Sequence, residues 1–136
     1  MTKYLFIALT LLALCVALTS CSKEEEEPPL ATELIEPAQQ FMAQLAARDF
    51  STAVESFDEN LKEQMPPDKL DEAWRTITKN LGAYLRQVRT EVTRENGRDV
   101  VYITIQFEKG SSEVQIIFDE EKRISEVWFG PPPKLI

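Results

Sequence analysis

The chain has 136 residues, with 15 Lys plus Arg, 23 Asp plus Glu, two Cys and no His. One domain fits that length, and a hydrophobic content of 43% supports a packed core. The lack of His excludes Ser-His-Asp and Cys-His catalysis and every His-ligated zinc site.

The first element expected in chain order is a secretory signal over residues 1–20. Lys3 supplies the positive start, and Tyr4 to Leu18 form an apolar run of signal-core length. That run is shorter than the about 20 residues a transmembrane helix needs. It ends in Leu18-Thr19-Ser20-Cys21, which resembles the bacterial lipobox. Such a box needs a thiol for thioether attachment of a diacylglyceryl group, and small neighbours that admit the processing peptidase. Cys21 is therefore the expected lipidation site, and membrane lipid an expected partner through acyl chains of the palmitate kind. Two or more chains hold stably where one does not. The implied address is the cell envelope, exported and lipid-anchored to the cell membrane. Ser22 rather than Asp follows Cys21, which by resemblance to Gram-negative sorting implies the outer membrane in such a cell. An ordinary soluble signal with a chance Cys is the alternative.

Cys15 leaves with the signal, so the mature domain has no free thiol and no disulfide to hold it. The mature chain keeps 14 basic against 23 acidic side chains, a poor surface for nucleic acid. Residues 21–32 read as the lipidated Cys and a flexible tether. Glu24 to Glu27 repel one another and Pro28-Pro29 favour extension, for a reach of about 30 Å.

Residues 33–133 are expected to form a single α+β domain. Leu34, Ile35, Ala38, Phe41, Met42, Leu45 and Ala46 recur at spacings of three and four, predicting a helix capped by Thr32. Asp49 is the expected cap of a short second helix through Phe50, Ala53, Val54 and Phe57. Pro67 opens a third, whose Leu70, Trp74, Ile77 and Leu81 share a face, and Gly82 stops it.

Four strands follow: Tyr84 to Glu95, Arg98 to Lys109, Glu113 to Phe118 and Arg123 to Phe129. Asn96-Gly97 is a hairpin signal, and Gly110-Ser111-Ser112 and Asp119 to Lys122 are the other expected turns. Three helices packed on a twisted four-stranded antiparallel sheet make a cone with a mouth. Arg86, Arg89, Arg94 and Arg98 make the first hairpin locally basic. Simple alternation puts Arg86 and Arg94 on one side and Arg89 on the other. Trp74, Tyr84, Tyr102 and Trp128, with Arg86 and Arg94, are the candidate ligand or partner surface. Core packing is the competing reading for the aromatics, and solvated cross-strand pairing for the arginines.

The run Phe41-Met42-Ala43-Gln44-Leu45-Ala46-Ala47-Arg48-Asp49-Phe50 leads into Ala53-Val54, Phe57-Asp58, Met65-Pro66-Pro67, Leu70 and Trp74. With the closing Ile124 to Phe129 and the Pro run that follows Gly130, it resembles the DUF3887-type family of exported domains of unknown function. The resemblance covers about residues 33–133 and implies a cystatin-like or nuclear-transport-factor-two-like cone. It also implies a domain that stands alone behind a lipoprotein signal or precedes an α/β-hydrolase domain. No Gly-x-Ser-x-Gly elbow occurs here, and no catalytic residue carries over. Cone folds of this sort often dimerise on the open sheet face, so a homodimer is one implied state.

No catalytic residue, metal ligand or cofactor is expected. Asp58, Glu59 and Asp119 to Glu121 sit where solvated charges normally sit, and the dense Asp/Asn spacing of a calcium loop is missing. The expectation is a non-catalytic, membrane-anchored domain that binds a small molecule or an envelope protein. The alternative is an accessory subunit or small envelope enzyme using carboxylates inside the cone.

Overall fold

Ala38, Phe41, Met42 and Leu45 recur at helical spacing and are all buried, so Ile35–Ala46 (α1) lays one apolar stripe into the interior. The computed structural model describes residues 30–131. The expected signal, Cys21, most of the tether and Pro132-Pro133 lie outside the described residues. A 3-10 turn, Thr32–Leu34, precedes α1, whose N-cap is Leu34 with no side-chain cap bond. This corrects the expected Thr32 cap. The tighter turn satisfies the early amides itself, Leu34 N–H reaching the Ala31 carbonyl at 3.0 Å.

Phe50–Ala53 (α2) starts from Asp49 as expected, its carboxylate accepting from the Thr52 amide at 3.3 Å. A second 3-10 turn, Val54–Ser56, then releases Phe57 into extended backbone. Asp58 caps a further helix, Glu59–Gln64 (α3), accepting from the Leu61 amide at 2.7 Å. The three expected helices are thus four α-helical segments, and Asp58 is a cap rather than a merely solvated charge. Pro67–Leu81 (α4) carries Pro67 in its first turn and buries Leu70 and Trp74. Gly82, at φ 84°, ends it.

Tyr84–Glu95 (β1), Arg98–Phe107 (β2), Gly110–Phe118 (β3) and Ile124–Gly130 (β4) form one antiparallel sheet in chain order. Asn96 and Gly97, at φ 52° and 75°, make the expected two-residue turn. The next turn falls at Glu108-Lys109 and not at Gly110-Ser111-Ser112. Phe107 pairs with Gly110, and Ser112 Oγ donates to the Gly130 carbonyl at 2.6 Å, which holds those residues in β3. Arg123 stays out of β4 because Asp119 accepts from both its amide and its guanidinium.

The helices pack on one face of the sheet. Val101, Ile103, Ile105 and Phe107 of β2 join Val114, Ile116 and Phe118 of β3 in that core. Phe41 and Phe57 meet at 5.6 Å, and Trp74, Tyr84 and Phe107 make a ring cluster at 5.8–6.2 Å, with Tyr84 edge-on to Phe107 and Trp74 tilted against both. Ser112 is the one buried polar residue among those described. Phe57 forms a parallel bridge to Ile124, with the Asp58 amide donating to the Ile124 carbonyl at 2.9 Å.

Candidate functional site

β1 carries two bulges. The register slips between Tyr84–Phe107 and Arg86–Gln106, and again between Gln87–Ile105 and Arg89–Thr104, so Leu85 and Val88 are extra residues. Each insertion reverses which side the following residues face. Arg86 and Arg89 therefore share the outer face, opposite Gln106 and Thr104, while Arg94 faces the helix side opposite Asp99. This corrects the expected grouping of Arg86 with Arg94. Arg86 Nε donates to Gln106 Oε1 at 3.1 Å, and Arg94 binds Asp99 at 2.7 and 2.9 Å.

Cross-strand register aligns Glu91, Tyr102, Gln115 and Trp128 in one outer row, beside Thr93, Val100, Ile117 and Glu126. Val100 and Ile117 are only 2% and 8% exposed although they face away from the helices. Sequence reasoning missed this second apolar patch. Its signal was the doublets Val100-Val101 and Ile116-Ile117, which break strict alternation. Arg98 pairs with Glu126 at 2.7 Å, and the Trp128 indole N–H donates to the same carboxylate at 3.3 Å. These bonds, from Arg98 first and Trp128 second, hold the Glu126 carboxyl below the usual range.

The Tyr102 hydroxyl donates to Glu95 at 2.5 Å. That bond pushes the phenol up to about 12, with burial and the charges of Glu95 and Glu113 adding to it. Burial pushes the Glu113 carboxyl up, against the pull of Arg89 and with the help of Glu91. These groups line an open hollow of about 360 Å³ on the outer face.

The six candidate residues do not converge. Trp74 and Tyr84 are packed against Phe107 in the core cluster or at its margin. Arg94 is tied to Asp99 on the helix side. Arg86, Tyr102 and Trp128 share the outer face, and Trp128 is 61% exposed on the edge strand. Among the described residues no Asp or Glu is buried in the core, and no group of three or more His, Cys, Asp or Glu is placed to hold a metal ion. No described helix is long and apolar enough to cross a membrane.

Residues 38–126 match the model of a protein family of unknown function, DUF3887. The chain belongs to the DUF3887 family. In this DUF3887 protein the matched stretch begins inside α1 and ends at Glu126 in β4, so it takes in the bulged strand and most of the outer face. No curated protein and no solved structure matches the chain.

Proposed function

We propose that this DUF3887 protein is exported, held at a membrane by acyl chains on Cys21, and built to bind an envelope protein without catalysing a reaction. We read its helix-covered sheet as a cone of the cystatin-like or nuclear-transport-factor-two-like kind. The observation that carries the binding reading is the filled interior. Aromatic and aliphatic side chains close the space between helices and sheet, so specific recognition is left to the outside. An exposed Trp128 beside Glu126, in the same outer row as Tyr102, suits a protein contact, where aromatic anchors dominate affinity. The anchor rests on the sequence, through the apolar run, Leu18-Thr19-Ser20-Cys21 and the acidic tether.

Two mass measurements on the chain purified from its own host test this. The N-terminal peptide is expected to begin at Cys21 and to carry diacylglyceryl mass. An unmodified start elsewhere removes the anchor. The intact native mass is expected to show no small-molecule adduct, and a stoichiometric adduct would replace the protein partner with a ligand.

A further inference from the structure

We propose that the outer edge of β4 docks an extended segment of a partner protein whose side chains alternate apolar and basic. This rests on the protein-binding reading above and specifies how the contact is made.

The two edges of the sheet are unequal. β1 is guarded by two bulges, by Arg86, Arg89 and Glu91, and by α1. Gln39 Nε2 donates to Thr90 Oγ1 at 3.1 Å, and Gln87 Nε2 donates to the Gln39 carbonyl at 3.1 Å. On β4, among the described residues, α3 packs beside the strand, and the outer backbone edge takes the bridge from Phe57 at Ile124. That bridge shows the edge accepting a parallel, strand-like backbone, with Asp58 N–H on the Ile124 carbonyl. The bulge in β4 falls at Ser125, and from Glu126 to Gly130 the ladder to β3 is regular. That stretch is regular strand, whose outward N–H and C=O groups have the geometry of strand addition.

Side-chain chemistry beside this edge differs on its two faces. Between α3 and β4 runs a trough of about 530 Å³, lined on the helix side by Leu61, Met65 and Val127 and reached from the outer side by Glu126 and Trp128. On the outer side stand Glu126, held ionised, and Trp128. An added strand alternates its side chains between those same two faces. Apolar residues would drop over Leu61 and Val127. Basic residues would lie over the indole, where a cation gains from the ring, and would share or displace Arg98 at Glu126. The formal charge of −8 on the whole chain favours a basic partner.

The test uses the full chain purified from its own membranes in nonionic detergent. The probe is an acetylated, amidated heptapeptide alternating valine with lysine. Hydrogen exchange of amides 126–130 is expected to slow at least tenfold with the peptide, and Trp128 emission to shift in a way that Trp128→Ala removes. A glutamate-for-lysine peptide is expected to bind at least tenfold more weakly, and a fully N-methylated one not at all. Asn60→Lys with Gln64→Lys, both exposed, is expected to weaken the lysine peptide at least tenfold with an unchanged far-ultraviolet spectrum.

Unchanged exchange at millimolar peptide, or equal binding of the glutamate peptide, overturns the proposal. So does slow exchange at 126–130 without peptide, since the chain's own tail or, if concentration-dependent, a second copy then covers the edge. Photo-crosslinkers replacing Thr104 and Trp128 separate this failure from that of the wider reading. Capture of an envelope protein at Thr104 with no peptide binding removes only the edge mode, and silence at both positions removes both.

Discussion

Trp74 of α4 lies 5.8 Å from Phe107 of β2, centroid to centroid, and at 2% and 1% exposure both rings are closed to solvent. This contact joins the longest described helix to a central strand. Trp74→Ala is expected to cost about 3–5 kcal/mol through lost transfer energy and the cavity left behind. That is a large share of a typical total of about 5–15 kcal/mol. Trp128→Ala, on the exposed edge, is expected to stay within about 0.5 kcal/mol. Urea unfolding of the two variants checks the contrast, and similar midpoints would contradict it.

Asp58 and Asp49 both cap helices, but their bonds differ. The Asp58 carboxylate reaches the Leu61 amide at 2.7 Å in a half-buried setting, whereas Asp49 reaches Thr52 at 3.3 Å in an exposed one. Asp58→Ala is expected to cost about 1–2 kcal/mol and Asp49→Ala about half that. Asp58→Asn should recover most of the loss, because an amide oxygen still caps. Thermal unfolding of the three variants decides the order.

Gly82 and Gly97 share a positive φ but not a neighbourhood. A Cβ on Gly82 would stand 2.9 Å from the Glu108 Cβ, while one on Gly97 would meet nothing within 4 Å. Gly82 also has ψ −168°, a backbone region that only glycine adopts readily. Gly82→Ala is expected to cost at least about 2 kcal/mol, and Gly97→Ala about 1 kcal/mol. Chemical denaturation measures both, and equal losses would contradict the extra cost assigned to the Gly82 backbone and its Glu108 neighbour.

Glu113 sets a pH dependence. Its carboxyl is raised in the folded chain, mainly by burial, so the folded state holds that proton more tightly than the unfolded state. Stability from this group therefore falls as pH rises from the ordinary carboxylate range through the folded value, then levels off. Glu113→Gln is expected to raise the melting midpoint at pH 7 by about 1–3 °C, the scale of a partly solvated charge. The gain should vanish in acid below both values. A variant less stable at neutral pH would reverse the sign and assign Glu113 a favourable pairing with Arg89.

Much of this fold was legible in the chain. Asn96-Gly97 marked the first hairpin, the stripe of α4 placed Leu70 and Trp74 inside, and Asp49 and Gly82 marked helix ends. What stayed hidden has physical causes. α3 is six residues long, too short to repeat an apolar stripe, and its cap Asp58 follows a Phe in extended backbone. The bulges at Leu85 and Val88 leave no compositional mark, yet they decide which arginines stand together. The outer row of Tyr102 and Trp128 depends on register across three strands, which no single strand encodes.

The Lys122 ammonium meets Glu33 at 3.4 Å, which sets the start of the described domain against the β3–β4 turn. From that turn β4 runs seven residues, about 20 Å, to Gly130 at the opposite pole. The described chain thus enters at one pole and leaves by the other. Tension between the two would run along β4, and its hydrogen bonds to β3 would be strained together in shear rather than peeled in turn. Pulled between those two poles, the domain would resist lengthwise extension, and its rupture would be set by the rate of unfolding and not by equilibrium stability.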